Sequence, residues 1–190
     1  MGLTRDDWLA AGFELLKERG AGALTIDRLT HRLGVTKGSF YHHFPSRAEL
    51  SRALLEAWER RLTEELIEAS RGGRGFAERN RRLTQLGFEL FDPELETAVR
   101  AWALQDPLAR EVQERVDRRR LGYLEELYGL IAPEDLAREL ALIRYAFSIG
   151  AQQLLPPPPA DRYANVFKIL EDGLEGLVRG PGETRHGDRP

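Results

Sequence analysis

Residues 25–50 read TIDRLTHRLGVTKGSFYHHFPSRAEL, and their punctuation decides the fold. Thr25 places a hydroxyl N-cap ahead of Ile26, Leu29 and Leu33, which recur at helical spacing, and Gly34 supplies the stop. Thr36 opens a second short helix that runs to Phe44, where Pro45 forbids a further turn. Only Gly34-Val35 lies between them, enough for a sharp helix-to-helix bend and nothing else. A short helix, a glycine-bearing turn and another short helix are the elements of a helix-turn-helix, whose second helix enters the DNA major groove.

The second helix has the chemistry for that role. Phe40 and Phe44, four residues apart, anchor one face, and the other offers hydroxyl, ammonium, phenol and imidazole groups. No acid occurs from 28 to 48, and residues 25–52 carry Arg28, Arg32, Lys37, Arg47 and Arg52 against Asp27 and Glu49. That local excess of three positive charges contrasts with residues 51–190, where 21 basic side chains meet 25 acidic ones. A basic head on an acidic body suits a protein that touches phosphate at one end. Gly38 costs about 1 kcal/mol of helix propensity against alanine, a cost that close approach of the backbone to a phosphate explains. The plainer alternative is a surface helix pair with solvated histidines.

Working outward, the rest of the chain is punctuated as helices. Thr4 and Asp7 form a capping-box-like start; Leu9, Phe13 and Leu16 follow at helical spacing, and Gly20 ends the first helix. Ser46 and Glu49 form an S-x-x-E box that starts a long fourth helix with Leu50, Leu54, Trp58, Leu62 and Ile67 inward. It contains no glycine or proline before Gly72, so it reads as a rigid lever continuous with the head. Asp92-Pro93, Asp106-Pro107 and Ala132-Pro133 predict helix starts with proline at the first helical position. They delimit helices near 76–91, 93–104, 107–130 and 133–154, and a last helix is expected at about 161–178 after the stiff Pro156–Pro159 connector. With no alternating strand pattern, the fold class is all-α. The expected division is a DNA-binding head at 1–46, a ligand-binding and dimerising body at 47–180 that shares its first helix with the head, and a disordered tail at 181–190.

Composition narrows the chemistry. The 190 residues are 42% hydrophobic and 31% charged, the balance of a soluble globular protein. No apolar run approaches the ~20 residues of a membrane span, and the N-terminus lacks a signal core, so a cytoplasmic address is expected. Zero cysteines exclude disulfides, thiolate metal sites and cysteine nucleophiles, and with only four histidines no imidazole metal cage is expected. There is no nucleophile–base–acid set at a defined spacing. No catalytic residue, metal site or cofactor is therefore expected, and the protein reads as a non-enzyme.

The segment from Thr25 to Leu50, centred on Leu33 to Phe44, strongly resembles the TetR-type transcriptional regulators. Trp8 to Phe13, Gly20, Leu24 and the Ser46-Arg47-x-x-Leu50 helix start fit the same pattern, so the match covers about residues 4–55. The resemblance implies a homodimeric, ligand-responsive regulator, a repressor released from a palindromic DNA operator by a small molecule. It implies phosphate contacts from Thr25 and Thr36, backbone and groove-edge contacts from Lys37 and Gly38, and base- and phosphate-facing positions for Ser39, Tyr41 and His42. His43 and Arg47 would reach phosphate; Arg47 stands where the family usually has lysine, and His42 fills a variable slot. The rival reading is a helical small-molecule-binding or catalytic protein that does not bind DNA.

In the body, polar residues that interrupt apolar stripes are candidates for an effector pocket: Trp102, Gln105, Tyr123, Arg144, Tyr145, Ser148 and Gln152. Arg115, Arg118, Arg119 and Arg120, with Asp117, are expected to form a solvated helix face, and His31 to be solvated as well. Leu136, Leu140, Ile143, Phe147 and Leu154 form one stripe, and Tyr163, Phe167, Leu170, Leu174 and Leu177 another. Both are wide for terminal helices, and Gly150, Ala151, Gly173 and Gly176 permit close approach, which suits a twofold four-helix dimer interface.

Overall fold

The computed structural model describes residues 2–90 and 92–179, so the expected tail at 181–190 lies outside the described residues. Among the described residues every regular element is helical. The described residues gather into two compact units, divided between Arg120 and Leu121.

In the first unit, α1 (Arg5–Arg19) starts with the full reciprocal box: the Thr4 hydroxyl accepts from the Asp7 N–H, and the Asp7 carboxylate accepts from the Thr4 N–H at 2.7 Å. Those bonds hold the Asp7 carboxyl below its ordinary value. Gly20, at φ 72°, ends α1 in a conformation that a side chain would strain. α2 (Ile26–Leu33) is capped by the Thr25 hydroxyl, which accepts from the Arg28 N–H at 3.3 Å. Gly34 takes the left-handed conformation (φ 66°, ψ 33°), and the Val35 N–H closes back on the Thr30 carbonyl at 3.0 Å. α3 (Lys37–His43) follows at once and ends at Phe44.

A long rod comes next: α4 (Arg47–Glu59), a π-helical turn over Arg60–Glu64, and α5 (Glu65–Arg71). At its start the Ser46 hydroxyl accepts from the Glu49 N–H at 3.2 Å, while the Glu49 carboxylate lies 3.9 Å from Arg52. The expected box is therefore realised in its hydroxyl half. The uninterrupted lever needs correction too, because the Glu65 N–H bonds the Arg60 carbonyl across five residues and widens the rod there.

After α6 (Gly75–Leu90), α7 (Pro93–Ala103) and α8 (Pro107–Tyr128) start on capped prolines. Asp92 accepts from the Leu95 N–H, and Asp106 from the Ala109 N–H, each at 3.0 Å. Asp92 also takes a bond from Lys17 at 3.0 Å, tying α1 to the start of α7. One core runs through this unit, from Trp8, Phe40 and Phe44 through Leu50, Leu54 and Trp58 to Val99, Trp102 and Val116. Gly12 lets α1 and α4 approach closely, since a Cβ there would meet Leu54 at 2.9 Å.

Of the arginines at 115–120, Arg120 leaves the expected solvated face, while Arg115 and Arg119 stay at the surface and pair with carboxylates of the rod. Arg115 makes a bidentate pair with Glu59 (2.7 and 2.6 Å), and Arg119 reaches Glu64 at 3.1 Å. Arg120 donates to both oxygens of the buried Glu96, at 2.8 and 2.9 Å, and to Thr63 Oγ1 and the Leu62 carbonyl. Arg118, by contrast, is exposed, with its nearest carboxylate, Glu114, at 3.9 Å.

In the second unit, α9 (Glu134–Gln152) and α10 (Ala160–Arg179) pack together, with the prolines at 156–159 between them. Pro133 is the N-cap of α9 rather than its first helical residue. The expected stripes divide: Leu140, Phe167 and Leu174 are buried within the unit, while Ile143, Leu154 and Leu177 face outward beside Leu142, Val166 and Ile169. A helix surface carries an inner and an outer apolar face here, and spacing alone merged the two. Cβ atoms at Gly150, Gly173 and Gly176 would meet nothing within 4 Å, so these glycines leave the outer face shallow.

Candidate nucleic-acid interface

The geometry of α3 is set from beneath. Phe40 is fully buried, with its ring edge-on to Trp8 at 5.4 Å and 5.7 Å from Phe44; Arg5 lies over the Phe44 ring at 5.1 Å. This anchoring turns the opposite face outward. Thr36, Lys37, Gly38, Tyr41 and His42 are exposed, and Ser39 and His43 are half-buried at its edges. Tyr41 packs edge-on against Phe40 at 5.4 Å with over half its surface open, and the His42 and His43 rings meet at 5.2 Å. His43 also leans towards Trp8, at 6.2 Å.

Thr36 makes no side-chain cap bond, so its hydroxyl is available, whereas the Thr25 hydroxyl is already engaged in capping. Among the described residues nothing requires Gly38: its φ is not positive, and a Cβ there would have only the Thr36 hydroxyl within 4 Å, at 3.6 Å. Arg47 and Arg28 are exposed and form no ion pair among the described residues. Lys37 is held by Asp27, with Nζ 2.5 Å from Oδ1, and that bond raises the pKa of its ammonium group. The acid-free run from 28 to 48 thus has an acid at its border that reaches in, a contact across the helix turn that linear spacing did not show. His31 is exposed.

The effector-pocket candidates fall in both units. In the first, Trp102 is buried in the core, and Gln105 sits on the rim of a hollow of about 310 Å3 with Leu104, Asp106, Pro107 and Arg110. In the second, Tyr123 is buried, and Arg144, 4% exposed, lies 3.4 Å from Glu171 and 5.4 Å above the Phe167 ring. Ser148 donates to the Arg144 carbonyl at 3.0 Å and shares a hydrogen bond with Tyr163. Tyr128 donates to Glu171 at 3.1 Å, and burial pushes the Tyr128 phenol pKa well up. Tyr145 and Gln152 are half-buried; the Gln152 Oε1 is enclosed without a hydrogen-bond partner among the described residues. Glu171, Tyr128 and Tyr163, absent from the candidates, complete the cluster around Arg144; the glutamate lies 27 residues from the arginine and has no motif to mark it.

Among the described residues no helix is long and apolar enough to cross a membrane, and no cluster of three or more metal-ligating side chains occurs.

The family model of bacterial regulatory proteins, tetR family, matches residues 9–54. The transcriptional repressor NemR of Escherichia coli K12 is 38% identical over 73 residues, 36% of each chain. The class G tetracycline repressor protein of Vibrio anguillarum is 41% identical over 79 residues, 41% of this chain and 38% of that one. The transcriptional regulator AcuR of Cereibacter sphaeroides is 37% identical over 57 residues, 30% of this chain and 26% of that one. The matched region thus spans a quarter to two-fifths of these relatives. In fold the likeness is longer. A TetR-family regulator from Streptomyces coelicolor covers 94% of this chain and 90% of its own at 20% identity, with a TM-score of 0.75. The reduced form of E. coli NemR covers 96% and 99% at 22% identity, with a TM-score of 0.64. The head, residues 9–54, thus matches the tetR family of bacterial regulatory proteins, and the all-helical fold agrees with solved regulators over most of the chain.

Proposed function

We propose that the protein is a homodimeric transcriptional regulator, a repressor that holds a palindromic operator through α3 and releases it when a small molecule binds. The observation that carries this reading is α3 itself: a polar, acid-free face fixed over an aromatic anchor, with a glycine that no contact among the described residues requires. Residues 1–46 serve as the DNA-binding head, and 47–180 as the effector-binding and dimerising body. Ser39, Tyr41 and His42 face bases and phosphates; Thr25, Thr36, His43 and Arg47 address phosphates, and Lys37 and Gly38 lie against the backbone and groove edge. The names of the E. coli and Vibrio relatives as repressors support the sign of regulation.

The outer apolar face of α9 and α10 supports self-association, and a twofold dimer implies a palindrome with half-sites about one helical turn apart or somewhat more. Trp102, Gln105, Tyr123, Arg144, Tyr145, Ser148 and Gln152 remain our candidates for effector contacts; the enclosed, unpartnered Gln152 oxygen favours a ligand with a donor group on a largely apolar body. A mobility-shift assay on the DNA upstream of the protein's own gene tests the reading. Specific binding that weakens steeply with salt is expected; absence of binding at low salt overturns it in favour of a helical small-molecule-binding protein. Coupling between operator and effector is reciprocal, so operator DNA must weaken any effector found by thermal shift by the same factor.

A further inference from the structure

The arginine cluster of α8 and the π-helical turn of the rod occupy the same place, and the proposed function uses neither. A turn closed by the Glu65-to-Arg60 bond holds one residue more than an α-turn. Each α-helical residue advances the chain by about 100°, so the position of that extra residue decides how the head end of the rod is aimed relative to its far end. Both ends depend on that alignment: Leu50, Leu54 and Trp58 are buried before the turn, and Leu66 and Ile67 after it.

Three arginines bracket the turn. Arg115 holds Glu59 just before it, Arg119 holds Glu64 at its end, and Arg120 reaches inside to Thr63 Oγ1 (2.9 Å) and the Leu62 carbonyl (3.1 Å). The two outer pairs are solvent-exposed and contribute little to stability on their own. The inner one is different. Glu96, 2% exposed, receives two bonds from Arg120 and one from the Trp58 indole N–H at 2.9 Å, and the guanidinium lies 5.3 Å from the Trp58 ring. One guanidinium therefore joins α7, α8 and the widened turn, and a wandering turn would leave it with donors to spare in a buried setting.

We propose that Arg120 and Glu96 are positioning residues for operator binding: their clamp on Leu62 and Thr63 holds the extra residue of the rod in place, and opening it lets the turn migrate and re-aims the head. The inference rests on the DNA-binding reading above. It also makes this turn the site through which an event in the body would reach the head, without bending a regular helix.

The double variant E96Q/R120M tests it, because it removes the clamp without stranding a buried charge and leaves the Trp58 bond an acceptor. Affinity for the upstream duplex is expected to fall about tenfold or more, within the usual range of intersite coupling. Deleting Arg61, an exposed residue inside the turn, from that double variant takes out the extra residue, makes the rod a regular helix and renders the clamp unnecessary. It should restore affinity to within about threefold of the unaltered protein, a rescue that general damage would not show. Amide exchange without DNA should quicken at residues 60–65 in the double variant and stay unchanged at 50–55. R120K, which keeps a cation beside Glu96 but cannot span the four acceptor oxygens on Glu96, Thr63 and Leu62, gives the same pattern and serves if the double variant does not fold. Unchanged affinity, no rescue by the deletion, or unchanged exchange at 60–65 overturns the proposal. If the unaltered protein binds no DNA, the functional reading fails, and the exchange measurement still decides whether the clamp holds the turn.

Discussion

The head and the α9–α10 pair arrange polarity in opposite senses. In the head, Trp8, Phe40 and Phe44 fill the interior while the hydroxyl, imidazole and ammonium groups of α3 face out. In the second unit Arg144 and Glu171 lie inside, 4% and 8% exposed, while Ile169 and Leu177 are 71% and 62% exposed. A chain that buries charge and displays large aliphatic side chains has an outer face that wants covering, whereas a polar face without acids can stay hydrated until phosphate replaces water. One surface suits a second copy of the chain, the other suits DNA.

Arg144→Met breaks the comparison most severely. It strands the buried Glu171 carboxylate, and removing one member of a buried pair costs about 3–5 kcal/mol, read as a lowered urea midpoint. Adding Glu171→Leu should recover most of that loss; a single variant as stable as the starting protein would mean the pair is solvated. Next in size is Ile169→Glu on the outer face. It should produce folded monomers by light scattering and weaken operator binding more than tenfold, roughly the loss of a second half-site. Phe167→Glu is the poorer probe, because Phe167 is 7% exposed and its replacement would damage the unit's own interior.

On the head, Lys37→Ala should weaken binding to all duplexes alike and lower the salt slope by about one, whereas His42→Ala should also change sequence preference. Asp27→Asn should act the other way and more weakly. Freed from the carboxylate that now holds it, Lys37 can turn to phosphate, and affinity should rise a few-fold for any sequence. The smallest effect belongs to the α1 cap. The Asp7 carboxyl is held below 3.8 by its bonds to Thr4, so its stabilisation is complete above that value and is lost as pH falls through the lowered folded-state value. Asp7→Asn should flatten that part of the acid-unfolding profile followed by circular dichroism.

Much of the helix punctuation, in the head and beyond it, was legible because its determinants are local. Thr4, Thr25, Ser46, Asp92 and Asp106 each bond a backbone N–H three residues on, and Gly34 closes its own turn, so a window of five residues contains both partners. Phe40 and Phe44 likewise declare the inner face of α3 by spacing alone. The side of α9 and α10 that faces inward was not legible, since Leu140 and Ile143 differ by less than one turn and both are aliphatic.

By itself, then, the sequence determined that the chain is all helical, where most helices begin and end, and which face of α3 is polar and free of acid, because capping, chirality and periodicity act within a turn or two. Only the tertiary structure decided that Arg115, Arg119 and Arg120 meet Glu59, Glu64, Thr63 and Leu62, partners 55–58 residues away, and that the rod widens between them. It likewise decided that Asp27 reaches Lys37 and that Glu171 sits beside Arg144. An arginine on a helix surface looks the same in sequence whether water or a buried carboxylate receives it; the choice belongs to the packing of helices far apart in the chain, where desolvation and the geometry of the acceptors, not local preference, set the energy.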